Sequence, residues 1–284
     1  MTLSNTDPIP ENSASQIQST ISPHASAWYR PTFSPEHGVY VVLLVSFLTG
    51  AAAAQQWTLT TTLALICGFA GFQAEHPLVL QIKQRRSWKP RFLTWGGVYT
   101  GISLSLAGYL YLQTPLLLWL YLGAIAALSI DAIAVFYRKQ KSVFNEILTF
   151  TAVCLAAPFA YAATNGTLTI SVFGLWLLNA LFFSSAIFTV KLRKPKTASL
   201  IPGMIYHAIA SLTILGLWLS GWLAAIPALA FGVVLLKFGL ILGRLEWYQT
   251  TRIQNVAILE TCSAAIFLAI VAISLLPAHL ATGI

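Results

Sequence analysis

The chain divides by hydropathy before any residue needs singling out. Residues 1–33 are polar, rich in Ser, Thr, Pro and Gln, and contain no apolar run. Beyond them come nine apolar runs, at 38–55, 58–80, 94–113, 115–137, 144–163, 169–190, 201–220, 222–243 and 254–277. At 1.5 Å per residue each is about long enough to cross ~30 Å of hydrocarbon as an α-helix. Short turns at Gln113-Thr114-Pro115 and Ser220-Gly221-Trp222 divide stretches too long for one span and make the flanking helices antiparallel neighbours. The pattern predicts an all-α polytopic bundle of about nine spans over residues 34–284, preceded by a disordered tail over 1–33. That tail lacks the charged-then-apolar layout of a signal peptide. Its last part, Trp28-Tyr29-Arg30-Pro31, suits the membrane interface, where rings and cations settle.

Charge orients the bundle. With nine spans, fifteen of the 16 Lys and Arg residues fall before the first span or in alternate loops. Arg30 precedes span one, and Lys83, Arg85, Arg86, Lys89 and Arg91 follow span two. Arg138, Lys139 and Lys141 follow span four; Lys191, Arg193, Lys194 and Lys196 follow span six; Arg244 and Arg252 follow span eight. Only Lys237 falls within a span, near that same side. The opposite loops carry none, so the positive-inside rule predicts an N-in, C-out topology with the N-terminus and the charge in the cytoplasm.

Composition agrees. The residues are 57% hydrophobic and 8% charged, with a mean hydropathy of +0.75, against roughly a quarter charged in a soluble domain. The net charge of +8 is accounted for by orienting loops, so nucleic acid is not an expected partner; membrane lipid is. Cys67, Cys154 and Cys262 are far apart in apolar runs and read as small packing residues. No phosphate-binding glycine loop, nucleophile elbow or zinc-protease motif is present, and the sequence names no cofactor.

Ionisable residues inside a membrane are costly and are functional candidates by default. Here they share one side. Glu36 and His37 open span one, and Glu75 and His76 close span two. Asp131 lies about two turns inside span four, while Asn145 and Glu146 begin span five. His207 and Glu260 lie about two turns into spans seven and nine, and Lys237 about two turns from the end of span eight. With Arg138 and Lys139 they predict a polar cavity open to the cytoplasm under an apolar outer layer. Helix N-termini and basic loops facing it would favour anions.

Each candidate also has a structural reading. Glu36, Glu75 and Glu146 suit the headgroup level, paired with loop cations. Lys237 suits snorkelling, or an ion pair with Asp131 or Glu260. His207 suits a hydrogen-bonded packing role. The two Glu-His pairs do not point to a metal site, because adjacent helical residues diverge by about 100°.

Several features resemble the YwiC-like family of bacterial membrane proteins: Pro35-Glu36-His37-Gly38 before span one, Phe72 with Pro77-Leu78 ahead of a basic loop, and Arg138-Lys139 with Glu146 at the head of span five. That resemblance implies a multi-pass membrane protein and names no reaction. A fainter one is to the UbiA prenyltransferase superfamily, which implies nine helices and a cytoplasm-facing site. Tyr137-Arg138-Lys139-Gln140-Lys141 lies where that superfamily has a tyrosine and basic residues after its fourth helix. Its two Asp-rich motifs, which hold Mg²⁺ and a prenyl diphosphate, are missing: the matching stretches have Glu75 but no aspartate, and the second has four cations instead.

Three functional classes fit. The first is an enzyme or binding protein for an amphiphile with an anionic head, such as an isoprenoid, quinone precursor or pigment. The second is a small-solute transporter, although midplane polar groups and repeated halves are lacking apart from Asn179. The third is an assembly or scaffold factor for a membrane complex. A bacterial inner membrane or a thylakoid-type membrane is the expected location.

Overall fold

The computed structural model describes residues 31–35, 37–84, 87–194 and 198–276. Among them every regular element is an α-helix: α1 His37–Ala54, α2 Leu59–Lys83, α3 Pro90–Gln113, α4 Leu117–Phe136, α5 Val143–Val153, α6 Ala156–Asn165, α7 Ile170–Lys191, α8 Leu200–Leu219, α9 Ala225–Ala230, α10 Gly232–Gly243, α11 Leu245–Thr250 and α12 Ile253–Leu275. Eight segments are long and apolar enough to cross a membrane, α5 with α6 and α9 with α10 each counting as one. The 24-residue α3 is as long but more polar, with Gly, Ser, Thr and Tyr along its length. It runs antiparallel beside α2: a Cβ on Gly96 would meet Leu78 at 3.2 Å, and Ser103 Oγ donates to Cys67 O at 3.2 Å. The count is therefore near nine. The part of the expected tail up to residue 30 lies outside the described residues.

Helix breaks have chemical causes. Pro158 has no N–H to give Cys154 O, which accepts from Ala157 N three residues on instead, and the α5–α6 span bends there. Thr58 caps α2 with a reciprocal pair of bonds to Thr61. Pro90 opens α3 at its first position, where its missing donor costs nothing.

α1 and α7 sit at the centre. One core cluster joins α1 to α7, α8, α10 and α12 through Val42, Val45, Leu178, Phe182, Val234 and Phe267. A second joins α1 to α2, α3, α4 and α6 through Leu43, Phe47, Ala64, Leu110, Leu117 and Ala160. The peripheral helices expose large apolar side chains, among them Leu104, Leu112, Trp119, Leu212, Leu236 and Ile273. Such a surface belongs in lipid.

The loops gather into two ends. At one, Gln55 Nε2 donates to Leu275 O (3.0 Å) and Gln56 Nε2 to Asn165 Oδ1 (3.0 Å), with no Lys or Arg nearby in sequence. At the other, the basic end, Gln249 Nε2 donates to Leu192 O (3.0 Å) and Arg193 donates to Thr251 O (2.5 Å) and to Tyr248 O.

Between the ends, a buried polar knot joins α1 to α7. Asn179 Nδ2 donates to Thr49 Oγ1 (3.0 Å) and Leu175 O (2.8 Å), and Thr49 Oγ1 donates to Ser46 O (2.7 Å). Ser46 Oγ lies 3.4 Å from Asn179 Oδ1 and 3.3 Å from Cys154 Sγ. Ser46, Thr49, Cys154 and Asn179 have no exposed surface.

Candidate functional site

The candidate residues form a belt of polar contacts that passes from helix to helix at the basic end. It starts on α4, where Asn145 Nδ2 donates to Asp131 Oδ1 at 2.6 Å and to Gln140 O at 3.3 Å. Ser142 caps α5 by accepting from Asn145 N, which fixes the first turn that carries both Asn145 and Glu146. Glu146 then pairs with Lys191 at the end of α7. Earlier on α7, about half a turn and nearly two turns before Lys191, lie Thr189 and Ser185, which face the third group.

That group is an ion pair between Lys237 Nζ on α10 and Glu260 Oε2 on α12, at 2.8 Å. Lys237 is also 3.4 Å from Ser185 Oγ and lies 5.7 Å over the ring of Phe182; Thr189 Oγ1 is 3.4 Å from Glu260 Oε1. The side chain of Lys237 is 2% exposed and that of Glu260 is 24% exposed. Lys237 therefore does not snorkel. Of the two carboxylates considered for it, Glu260 is the partner, while Asp131 takes a neutral amide.

His207 on α8 lies against the same corner. Its Nδ1 lies 2.6 Å from Gly203 O, and since a carbonyl only accepts, Nδ1 carries the proton. The ring stacks on Phe238, the neighbour of Lys237, with centroids 3.9 Å apart and an interplanar angle of 11°. Its Nε2 is buried without a hydrogen-bond partner.

The remaining candidates are elsewhere. Glu36 lies outside the described residues. His37 is exposed at the head of α1 and stacks on Tyr40. Glu75 and His76 are half-buried near the end of α2, and both interact with other groups. Arg138 and Lys139 are exposed on the turn after α4, where Arg138 adopts φ 57°, a left-handed conformation that costs roughly 1–2 kcal/mol for a residue with a Cβ. The structure thus joins Asp131, Asn145, Glu146, Lys237 and Glu260 into the belt with His207 beside it, and sets His37, Glu75 and His76 apart on α1 and α2.

Sequence reasoning missed several participants. Ser185, Thr189 and Lys191 form one side of the belt, and the only signal for the first two is a hydroxyl pair four residues apart in an apolar run. Gln73 also escaped it. Its Oε1 accepts from Ser34 N (3.2 Å), its Nε2 donates to Tyr40 OH, and Tyr40 OH donates to Ser34 O (3.2 Å). With Arg91 donating to Pro31 O at 2.9 Å, this fastens residues 31–35 across the basic end.

Two grooves are present. One, of about 420 Å³, is lined by Leu48, Ala51, Trp57, Leu268 and Ala272 with Gln55 and Gln56; the other, of about 370 Å³, by Ile214, Trp218, Leu229 and Phe231. Both are mainly apolar and both lie toward the uncharged end. Among the described residues no three His, Cys, Asp or Glu side chains gather as a metal-holding group.

These features define an integral, multi-pass α-helical membrane protein with its ionisable residues collected at one end. Residues 33–161, from the strap before α1 to within α6, match the family model described as YwiC-like protein. No curated protein and no solved structure matches the chain. The matched stretch includes Asp131, Asn145 and Glu146 but not His207, Lys237 or Glu260.

Proposed function

We propose that the protein binds, and in that bound state presents or modifies, an amphiphile with an anionic head, taken up at the basic end from the cytoplasmic side of a bacterial inner membrane or a thylakoid-type membrane. The observation that carries this reading is an excess of positive charge beyond what the protein itself neutralises. The described residues hold twelve Lys and Arg against five Asp and Glu. Glu146 and Glu260 are already paired with lysines inside the bundle. The cations at the α4–α5 turn (Arg138, Lys139 and Lys141) stand exposed at the rim. Directly beside them α4 exposes Ile133, Phe136 and Tyr137. An isoprenoid-like, quinone-precursor or pigment ligand would meet cations with its head and this apolar face with its tail.

The likeness to the UbiA superfamily supports an isoprenoid tail, but the residues present do not fit that superfamily's Mg²⁺ site. The end of α2 offers Glu75, and the end of α7 offers Lys191, Arg193 and Lys194 where carboxylates would be needed. No step is therefore assigned through a metal.

The test is mass spectrometry of the molecules that co-purify with the detergent-extracted protein, beside a variant with Arg138, Lys139 and Lys141 all changed to Gln. A defined amphiphile present in the native protein and lost from the variant supports the reading. Bulk phospholipid alone in both samples defeats it. Uptake of a defined solute by reconstituted vesicles would replace it with a transporter.

A further inference from the structure

A lysine buried among helices needs a counter-ion, and the identity of that counter-ion is what the α7–α8–α10–α12 corner leaves open. An uncompensated ammonium at this depth costs several kcal/mol, so an anion beside Lys237 is strongly favoured. Glu260 fills that place, but unequally: Lys237 is sealed inside while Glu260 keeps about a quarter of its side chain exposed. Its other contact is a long one, 3.4 Å from Thr189 Oγ1. A carboxylate held by one short bond and already partly in contact with the exterior can swing away from a lysine that cannot follow it.

The corner also holds polar capacity that the protein does not use. His207 is 4% exposed, and its Nε2 is an acceptor with no donor. The opposite nitrogen is committed to Gly203 O and the ring is clamped on Phe238, so the imidazole cannot turn to find one. Ser185 Oγ, whose own proton goes to Phe182 O at 2.6 Å, accepts from the ammonium at 3.4 Å. Toward the basic end, Arg193 lies 5.7 Å over the ring of Tyr248.

Resting on the proposed function, we infer that Lys237 is the inner seat for the ligand's head, and that Glu260 is an internal stand-in occupying it when no ligand is bound. The class of head follows from the stand-in. It is a single carboxylate, planar and monoanionic, which replaces Glu260 at Lys237 and brings a hydroxyl or N–H donor within reach of His207 Nε2. Binding breaks the Lys237–Glu260 pair and forms an equivalent one, so no net charge is buried. The released Glu260 turns toward Arg193 and solvent.

Chemical rescue tests this without knowing the natural ligand. Purified Glu260→Gln protein in detergent, followed by the fluorescence of its nine tryptophans, should melt below the native protein. Formate should restore it saturably, by about 5 °C at roughly 100 times its Kd. Chloride and sulfate at matched ionic strength should not, and the Lys237→Met/Glu260→Gln protein should ignore formate. Should Glu260→Gln not accumulate, the same titration is made on Glu260→Asp, whose shorter arm also leaves the ammonium short of its partner. No formate response in the variant tested, or an equal response to all three salts, overturns the inference. Rescue without any co-purifying amphiphile would keep the seat and defeat the wider function. Amphiphile loss in the rim variant without rescue would do the reverse.

Discussion

Gly50 of α1 and Ala157 of α6 are in backbone contact: a Cβ placed on Gly50 would stand 2.0 Å from the Ala157 carbonyl oxygen. No side-chain adjustment relieves an overlap with main chain, so the closeness of α1 and α6 depends on one missing methyl group. Small residues serve this purpose in membranes, where helices gain stability from close packing rather than from hydrophobic exclusion.

Gly50→Ala should therefore lower stability by at least about 1–3 kcal/mol, the usual cost of overpacking a core. Gly38, whose Cβ would meet nothing within 4 Å, supplies the control. Gly38→Ala should be neutral or stabilising by up to ~1 kcal/mol, since Ala is the better helix former. Thermal melts in detergent rank the two; equal losses would contradict the packing described.

The two members of the buried ion pair should not be equivalent. Glu260→Gln strands a sealed ammonium and should cost about 3–5 kcal/mol, as removal of one partner from a buried pair does. Lys237→Met leaves a carboxylate already in partial contact with the exterior, and should cost roughly half as much. Melting both variants checks the order, and a reversal would mean that Glu260 is the more deeply held group.

Glu146 and Lys191 join α5 to α7 while both remain partly exposed. Exchanging them, as Glu146→Lys with Lys191→Glu, should recover much of the stability lost in either single variant. The coupling should be about 1 kcal/mol or less and shrink in high salt. A double-mutant cycle at two salt concentrations measures it.

Alkaline pH should loosen the basic end. Burial pushes the phenol of Tyr248 up to about 12, helped by the negative charge of Glu260 and opposed by the Arg193 charge. Its ordinary value is about 10. The folded form thus holds its proton more tightly than the unfolded one. The stability this gives is complete below pH ~10 and is lost as pH rises toward 12. Tyr248→Phe should flatten the decline in Tm between those values; an unchanged slope would place the alkaline transition on another group.

How much of this was written in the sequence depends on the scale. Span boundaries were legible to within a few residues, because an apolar run either is or is not long enough to cross hydrocarbon. Pro158 was visible, yet the single run 144–163 concealed that it divides α5 from α6. The six-residue α11 was missed because it lies in a charged stretch between two spans, and Tyr248 was missed with it. The ionisable members of the polar belt were legible through their cost: Asp131, Glu146, His207, Lys237 and Glu260 stand out against their apolar surroundings. Their pairing was not. A helix that is apolar on every side carries no mark of which face meets which neighbour, so Lys237 was equally compatible with Asp131 and Glu260 until α10 was laid beside α12. Gln73 was invisible for a related reason, since nothing in its neighbours announces the backbone of Ser34 across the bundle.

The Asn179 knot constrains how this molecule can move. Its amide spends its two N–H groups on Thr49 of α1 and Leu175 of α7, deep where no water is at hand to replace them. Sliding α1 along α7 by one turn would break the Asn179–Thr49 bond and part Ser46 Oγ from Asn179 Oδ1, each costing on the order of 1–3 kcal/mol, while the bonds to Leu175 O and Ser46 O lie within one helix and would survive. Tilting about the same point costs none of these bonds. The two halves of the bundle, which share α1, are thereby fixed in height but not in angle. An opening of the basic end that kept these contacts would be a rocking motion about Asn179.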